Sequence, residues 1–165
     1  MQFNKTIVAL LSGCLFSTQV VALRSDQSKP ITIKANHVLI DEKKGTSEYT
    51  GNVVFTQGSI KIAGDKVIIY QPQGNLQSVI VYGKPASFEQ DSDNKAGKVQ
   101  ARAHKMEYIT KEQKVFLETN AMVWQGQNRM SGDKIEYDTA QSTLSANKDE
   151  DSNTRVHTTI DPGKK

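Results

Sequence analysis

Two aspartates, Asp65 and Asp133, occupy equivalent places in a sequence repeat, and their spacing is the feature that could most readily support catalysis. The segment QGSIKIAGDKVIIY, residues 57–70, is partly repeated in QGQNRMSGDKIEY, residues 125–137, at a constant offset of 68 residues. Equivalent positions in stacked repeats normally lie on neighbouring strands, so the two carboxylates could serve as the acid and base of a carbohydrate-cleaving enzyme. Each aspartate also follows a glycine and precedes a lysine, where an aspartate commonly bonds its own backbone in a turn. The turn role is the simpler interpretation.

No other group of residues in the sequence favours catalysis or metal binding. His37, His104 and His157 lack the spacing of metal ligands, and the single cysteine, Cys14, lies in the predicted signal peptide, so no cysteine is expected to join them. The sequence has no glycine-rich phosphate loop and no serine elbow. We therefore expect no enzyme activity, no metal and no cofactor.

The elements that carry these residues are predicted to be short β-strands. Ile31 and Ile33 alternate with Thr32 and Lys34, and the same period of two recurs in SIKIAGDKVIIY, VIVYGKPASFE, HKMEYI and KVFLETNAMVWQ. Glycine-containing turn signals fall between these runs, and the chain after residue 22 has no sustained helical period. This pattern predicts an all-β sandwich, jellyroll, barrel or solenoid.

The repeated glycines predict matching hairpin corners in two stacked units. Gly58 and Gly126 suit a type I turn followed by a residue in the left-handed region. Gly64-Asp65-Lys66 and Gly132-Asp133-Lys134 are predicted to form the bend that follows each hairpin. The polar segment 89–98 is predicted to be a loop, and TRVHTTI, residues 154–160, is a last candidate strand.

The N-terminus has the layout of a secretory signal peptide, predicted over residues 1–22. Lys5 precedes an apolar run, and small residues end at Ala22. An alternative is that LSGC, ending at Cys14, is a lipobox whose cysteine becomes lipidated. We expect one domain over residues 23–160 and a disordered tail over 161–165. The formal net charge of +3 comes from interleaved charges, so no nucleic-acid partner is expected.

An apolar face is predicted to run through the strands, and it has two interpretations. It can be an ordinary dry core, or it can line a cavity for an apolar ligand. Stacked β-units also leave unpaired strands at both ends, where another copy or a related domain could add. The residues expected on this face are Ile31, Ile33, Ile40, Ile60, Ile62, Val67, Ile69, Phe88, Met106, Tyr108, Phe116 and Trp124.

Four ordered segments resemble the OstA-like (LptA) family of periplasmic lipopolysaccharide-transport proteins. They are KPITIKANH, YTGNVVFTQGSIKIAGDKVIIY, YGKPASFEQ and MSGDKIEYD, and the resemblance covers roughly residues 29–146. It implies an OstA-like β-jellyroll of stacked antiparallel strands that is open at both ends, and a protein that is not an enzyme. It also implies a place in the periplasm of Gram-negative bacteria, where such proteins bridge the inner and outer membranes and shield the lipid A acyl chains of lipopolysaccharide.

The resemblance further implies lipid-contacting residues and partners. By position, Ile31, Phe88 and Tyr108 match the family's lipid-contacting sites, and Ile33 and Met106 join them by strand phase. Thr110 departs from the family, which has an apolar residue at that place. The implied partners are lipopolysaccharide, inner-membrane LptC-like and outer-membrane LptD-like β-jellyroll domains, and further copies of the chain joined head to tail.

The edges of such an assembly are predicted around residues 31–40 and 134–159. Two other classes of protein stay open on the sequence alone. One is a structural β-stacking or adhesion module with a dry core and no lipid. The other is the carbohydrate enzyme that would use Asp65 and Asp133.

Overall fold

The computed structural model describes residue 26 and residues 29–92, 97–138, 141, 143–150 and 152–161. The predicted signal peptide, Cys14 and all of the predicted tail except Asp161 lie outside these residues. Within them, the period of two does mark β-strands, as predicted. The predicted loop over 89–98 begins later than expected, because the fifth strand continues to Gln90.

Ten strands form one antiparallel sheet, in which β3 to β8 each pair with the next strand along the chain. The sheet order is β1-β3-β4-β5-β6-β7-β8-β10, while β2 also pairs with β3 and β9 also pairs with β8. The strands are β1 (Ile31–Lys34), β2 (His37–Asp41), β3 (Thr46–Gln57), β4 (Ile60–Tyr70), β5 (Ser78–Gln90), β6 (Val99–Ile109), β7 (Lys114–Gln125), β8 (Asn128–Asp138), β9 (Thr143–Asn147) and β10 (His157–Thr159).

A register break interrupts each ladder between long strands near its middle. For example, the β3–β4 pairing shifts between Thr50 and Val53, and the β7–β8 pairing shifts between Glu118 and Ala121. A β-bulge bends its strand. Buried residues on both sides of the breaks, such as Val53 and Met106, belong to one core cluster. The two halves of each long strand therefore face each other across a shared core.

The bend divides the sheet into two layers, which we call layer A and layer B. Layer A contains β1, β10 and the strand halves that lie between them in the sheet. At its two edges, β1 pairs with the second half of β3, and β10 pairs with the first half of β8. Layer B contains β2, β9 and the other strand halves. At its two edges, β2 pairs with the first half of β3, and β9 pairs with the second half of β8. Where the layers meet, the buried side chains are small: Ala86, Ala103 and Ala121 are each at most 1% exposed.

The hairpin corners differ from the predicted turn type. Gln57 pairs with Ile60 and Gln125 with Asn128, so each corner is a two-residue loop that begins with a glycine. Gly58 and Gly126 have φ values of 59° and 58°, as the first position of such tight hairpins requires. The predicted bends at Gly64-Asp65 and Gly132-Asp133 do fall where the strands bend, but they are register breaks inside β4 and β8 instead of turns.

Candidate functional site

A row of mostly apolar side chains crosses the inner face of layer A from one edge to the other. The row includes Ile33 and Phe88, two of the predicted lipid-contacting residues. Both pack against the core cluster without being fully buried. In order of strand pairing the row is Ile33, Phe55, Ile62, Phe88, Ala101, Val123 and Met130.

Two similar rows cross the inner face of layer B and contain the other predicted residues. Met106 is 6% exposed and belongs to the core cluster. Tyr108 lies one row further out, half-buried between Val79 and Val115. The structure thus places Ile33 and Phe88 on one layer and Met106 and Tyr108 on the facing layer.

Ile31 lies apart from these four residues, near the mouth of the apolar interior. Its side chain is 54% exposed, and it pairs with the polar Gln57 in the row beyond Ile33. Thr110, where the family resemblance fails, also lies outside the interior. Its hydroxyl oxygen lies 2.8 Å from the carbonyl oxygen of Leu76 and 3.0 Å from that of Gln77, and its single proton is shared between them. The polar residue at 110 therefore has a structural role in a loop.

The apolar interior is closed in its centre and exposed at both edges of layer B. Val67 and Leu117 are 1% and 3% exposed in the centre, whereas Val38 and Ile40 on β2 are 47% and 60% exposed. Leu144 on β9, at the opposite edge, is 36% exposed. The pairings of Val38 with Tyr49 and of Leu144 with Tyr137 continue the inner rows to the last strand on each side.

Some interior residues differ from those predicted. Phe116 and Trp124, expected inside, lie on the outer face, where Phe116 pairs with Glu107 and Glu136. The run Val115-Phe116-Leu117 is apolar throughout, so its composition does not reveal which phase points inward. Phe55 and Val123 complete the layer A row but were missed. Phe55 stands two residues after Val53, and Val123 two residues after Ala121, so the period of two along each strand could have indicated that they face inward.

Asp26 closes the hairpin end of layer A next to the Gly58 corner. It is 7% exposed, and its carboxylate accepts hydrogen bonds from the Ser59 amide at 2.9 Å, the Ser59 hydroxyl at 2.7 Å and Gln90 Nε2 at 3.0 Å. These bonds, above all that from the Ser59 amide, lower the pKa of Asp26 below its ordinary value. Asp26 thereby joins the β3–β4 loop to the end of β5.

The two repeated aspartates do not form a catalytic pair. Asp65 lies on β4 and Asp133 on β8, four strands apart, which is roughly 19 Å at the usual strand spacing. Asp133 instead accepts hydrogen bonds from the Asp149 amide at 3.0 Å and the Thr154 hydroxyl at 2.6 Å. The Thr154 bond is the main cause of a lowered pKa of Asp133. Its role is to hold the segment that connects β9 to β10.

No group of three or more metal-ligating side chains occurs among the described residues. A depression of about 860 Å³ is lined by polar residues that include Lys134, Asp149 and Glu150. In the same part of the chain, no helix is both long and apolar enough to cross a membrane.

Comparison with known proteins points to one family. Residues 32–143 match the family model described as LptA/(LptD N-terminal domain) LPS transport protein. The chain is 34% identical to the lipopolysaccharide export system protein LptH of Pseudomonas aeruginosa, over 88% of this chain and 85% of that protein. It is 35% identical to the lipopolysaccharide export system protein LptA of Haemophilus influenzae, over 87% and 85% of the two chains.

The fold agrees with a solved structure. The crystal structure of LptH, described as the LptA homologous periplasmic component of the lipopolysaccharide transport device of Pseudomonas aeruginosa, matches with a TM-score of 0.73 at 33% identity. The match covers 84% of this chain and 99% of that chain. The predicted β-jellyroll of antiparallel strands is thus confirmed, and the enzyme interpretation falls because the matched relatives are transport proteins.

Proposed function

Because the chain belongs to the LptA/(LptD N-terminal domain) family of lipopolysaccharide transport proteins, we propose that it binds lipopolysaccharide in the periplasm and bridges the inner and outer membranes. In this role its apolar interior shields the acyl chains of lipid A during transport to the outer membrane. The protein contributes a path for the lipid, and partner proteins supply the energy.

The observation that carries this proposal is the apolar interior that continues to both edges of the sheet. Each buried CH₂ group contributes about 0.8 kcal/mol, so acyl chains gain strongly from such a surface and do not cross water readily without one. The exposed Val38, Ile40 and Leu144 leave the interior accessible at the two edges where a further jellyroll would continue it.

Ile31, Ile33, Phe88, Met106 and Tyr108 are the residues that we propose to contact the acyl chains. Ile33 and Phe88 would supply the floor in layer A, and Met106 and Tyr108 the facing wall in layer B. Ile31, which is largely exposed, would meet a chain as it enters from the β1 edge. Because Met106 is only 6% exposed, its contact requires the two layers to separate slightly around the ligand.

The same edges support a head-to-tail assembly. One edge is formed by β1 and β2 and the other by β9 and β10, so the two surfaces differ. Contact between two different patches is heterologous and produces open filaments instead of closed dimers. Strand addition would supply main-chain hydrogen bonds. The LptC-like and LptD-like jellyroll domains of the two membranes would use the same edges.

Site-specific photo-crosslinking tests the lipid site. A photo-reactive residue in place of Phe88 or Ile31 should capture lipopolysaccharide. The matched controls are Ser87 and Lys34, which are exposed neighbours on the same strands and face outward. Equal capture at all four positions would refute the site. Native mass spectrometry of protein from the periplasm provides a second test, because lipid-free oligomers alone would favour a structural module with a dry core.

A proline at Thr143 tests the assembly. Proline has no N–H, so it removes a donor from the edge strand β9. We expect the mass measured by light scattering to fall toward that of a monomer, while crosslinking at Phe88 survives. Lys111→Pro is the control, because Lys111 is the second residue of a turn closed by Gln113 and Thr110, where proline is well tolerated. If the unmutated protein is already a monomer at every concentration, the homo-oligomer is refuted.

A further inference from the structure

We propose that the outer face of layer A is a second binding surface that docks onto a bilayer containing anionic phospholipids. This surface is separate from the apolar interior, and its function does not depend on lipopolysaccharide binding. Its two outward rows carry four cations and one carboxylate, Glu89. The cations, which we call the layer A cations, are Lys34, Lys61, Arg102 and Arg129.

The layer A cations are evenly spaced along the sheet. They lie on β1, β4, β6 and β8, which are the first, third, fifth and seventh strands in the order of pairing. Neighbouring strands are about 4.8 Å apart, so successive cations are separated by roughly 10 Å and the whole line extends about 30 Å. A line of this length matches a plane of many headgroups better than it matches one compact anion.

The charges of the layer A cations are largely free to meet an external anion. All four residues are exposed. Lys61 has a distant carboxylate partner, with 3.9 Å between its Nζ and Glu89 Oε1. Among the described residues, Lys34, Arg102 and Arg129 form no ion pair with a carboxylate.

An aromatic side chain lies beside these charges. The Arg102 guanidinium is 5.6 Å from the ring centroid of Trp124, and Trp124 Nε1 donates a hydrogen bond to Gln100 at 2.8 Å. Tryptophan is enriched at membrane–water interfaces, because its ring is apolar and its N–H is polar. The outward position of Trp124, which its sequence pattern did not predict, fits this surface.

The outer face of layer B has the opposite character. Its lysines are neutralised by ion pairs, with Nζ-to-carboxylate distances of 2.8 Å for Lys66–Glu48, 2.9 Å for Lys105–Glu107 and 2.7 Å for Lys134–Asp149. Its three outward rows carry six carboxylates and four lysines. Because of this charge asymmetry, an anionic surface attracts the outer face of layer A and repels that of layer B.

Vesicle flotation tests this proposal with the purified protein and no lipopolysaccharide. Vesicles of phosphatidylcholine mixed with phosphatidylglycerol should carry the protein at low salt, and vesicles of phosphatidylcholine alone should not. High salt should release the protein, since screening weakens exposed charges. Each cation near an anionic surface contributes about 1 kcal/mol, or roughly a fivefold change in affinity.

A triple substitution of layer A cations provides the decisive comparison. Lys34→Gln, Lys61→Gln and Arg129→Gln together should weaken vesicle binding on the order of 100-fold. Arg102 is retained, so that its contact with Trp124 continues to support the fold. The control is Lys43→Gln, Lys111→Gln and Lys148→Gln, which removes the same charge from exposed positions outside this face.

Three outcomes would overturn the proposal. These are no binding to anionic vesicles, equal binding to neutral vesicles, and equal loss in the two triple variants. Capture of an acidic protein by the wild type without any vesicle binding would also overturn it, in favour of a protein partner. Crosslinking of lipopolysaccharide at Phe88 should persist in the layer A variant, so failure here and failure of the transport function are distinguishable.

Discussion

The hairpins β3–β4 and β7–β8 are two copies of one pattern that differ in what surrounds them. Their shared features follow the 68-residue offset. Gly58 and Gly126 begin both loops with positive φ, and Val67 and Ile135 are each 1% exposed at the same place in the core. The side-chain amide of the glutamine before each loop donates a 3.1 Å hydrogen bond to a backbone carbonyl oxygen. Gln57 Nε2 donates to Lys29 in the first copy, and Gln125 Nε2 donates to Gly97 in the second.

The two copies differ in the non-repeated segments that contact them. Asp26 fixes the first loop through Ser59, whereas in the second copy Asp133 holds the connection between β9 and β10. At the register break, Gly51 of the first copy corresponds to Thr119 of the second, and both have positive φ. The repeat thus determines the strands and the core, and the non-repeated segments determine which polar side chains are used.

The largest expected effect compares the two core positions. Ile135→Ala should destabilise the protein by about 3 kcal/mol, and Val67→Ala by about 2 kcal/mol, because both leave cavities and isoleucine loses one more methylene. Urea denaturation followed by circular dichroism measures both. A much larger loss at Val67 than at Ile135 would show that the two cores are not equivalent.

The register breaks provide the next comparison. Gly51→Thr should destabilise by about 2 kcal/mol, because φ is 79° and a Cβ would lie 2.9 Å from that of Asn36. Thr119→Gly should instead stabilise by up to about 1 kcal/mol, since a β-branched residue at positive φ is strained. Thermal unfolding of the two variants should therefore shift in opposite directions. Shifts of the same sign would contradict this view of the repeat.

Asp26→Ala should lower the free energy of unfolding by about 1–2 kcal/mol, because the backbone amide and hydroxyl of Ser59 and the side-chain amide of Gln90 lose their acceptor. Because the pKa of Asp26 is lower in the folded state, its contribution is complete above about pH 4 and is lost as the pH falls through the folded-state pKa. The stability difference between wild type and variant should thus shrink in acid, which denaturation at several pH values measures.

Asp133→Asn is the counterpart in the second copy. It should accelerate hydrogen exchange at the Asp149 amide while global unfolding changes little. Faster exchange at the Ser59 amide in this variant would show that the two ends are coupled.

The smallest effect concerns the equivalent surface lysines Lys66 and Lys134. Lys66→Ala should change stability by less than about 1 kcal/mol, because its ion pair with Glu48 is exposed and screened by water. Lys134→Ala should have no larger effect. High salt should reduce both losses further, and unchanged losses at high salt would indicate that packing of the lysine stems matters more than charge.

Much of the fold was predictable because period-two alternation reports a half-buried strand directly. The phase was ambiguous where apolar residues are consecutive, as at Phe116, and this is why two outward aromatic residues were expected inside. The Gly-Asp pairs at 64–65 and 132–133 predict bends, but a glycine before an aspartate suits a turn as well as a register break inside a strand. Pairing between strands, which separates the two, is not visible in one sequence.

The candidate site was predictable in part for a similar reason. The alternation identified Ile33 and Met106 as inward-facing, and both pack in the core. Their distribution over two facing layers follows from bends in the middle of long strands, and the sequence marks such bends in β4 and β8 but not in β5, β6 and β7. Asp26 gave no signal, because its three hydrogen bonds come from residues 33 and 64 positions away.

The strand order also bears on how the chain can fold as it is made. Each strand from β4 to β8 pairs with the strand just before it, so no pairing among them waits for residues near the C-terminus. Closing such short hairpins costs little chain entropy. A chain that emerges N-terminus first can therefore extend its sheet one strand at a time, and only β1 and β2 must wait, for β3. The growing sheet always presents a new edge to the strand that emerges next.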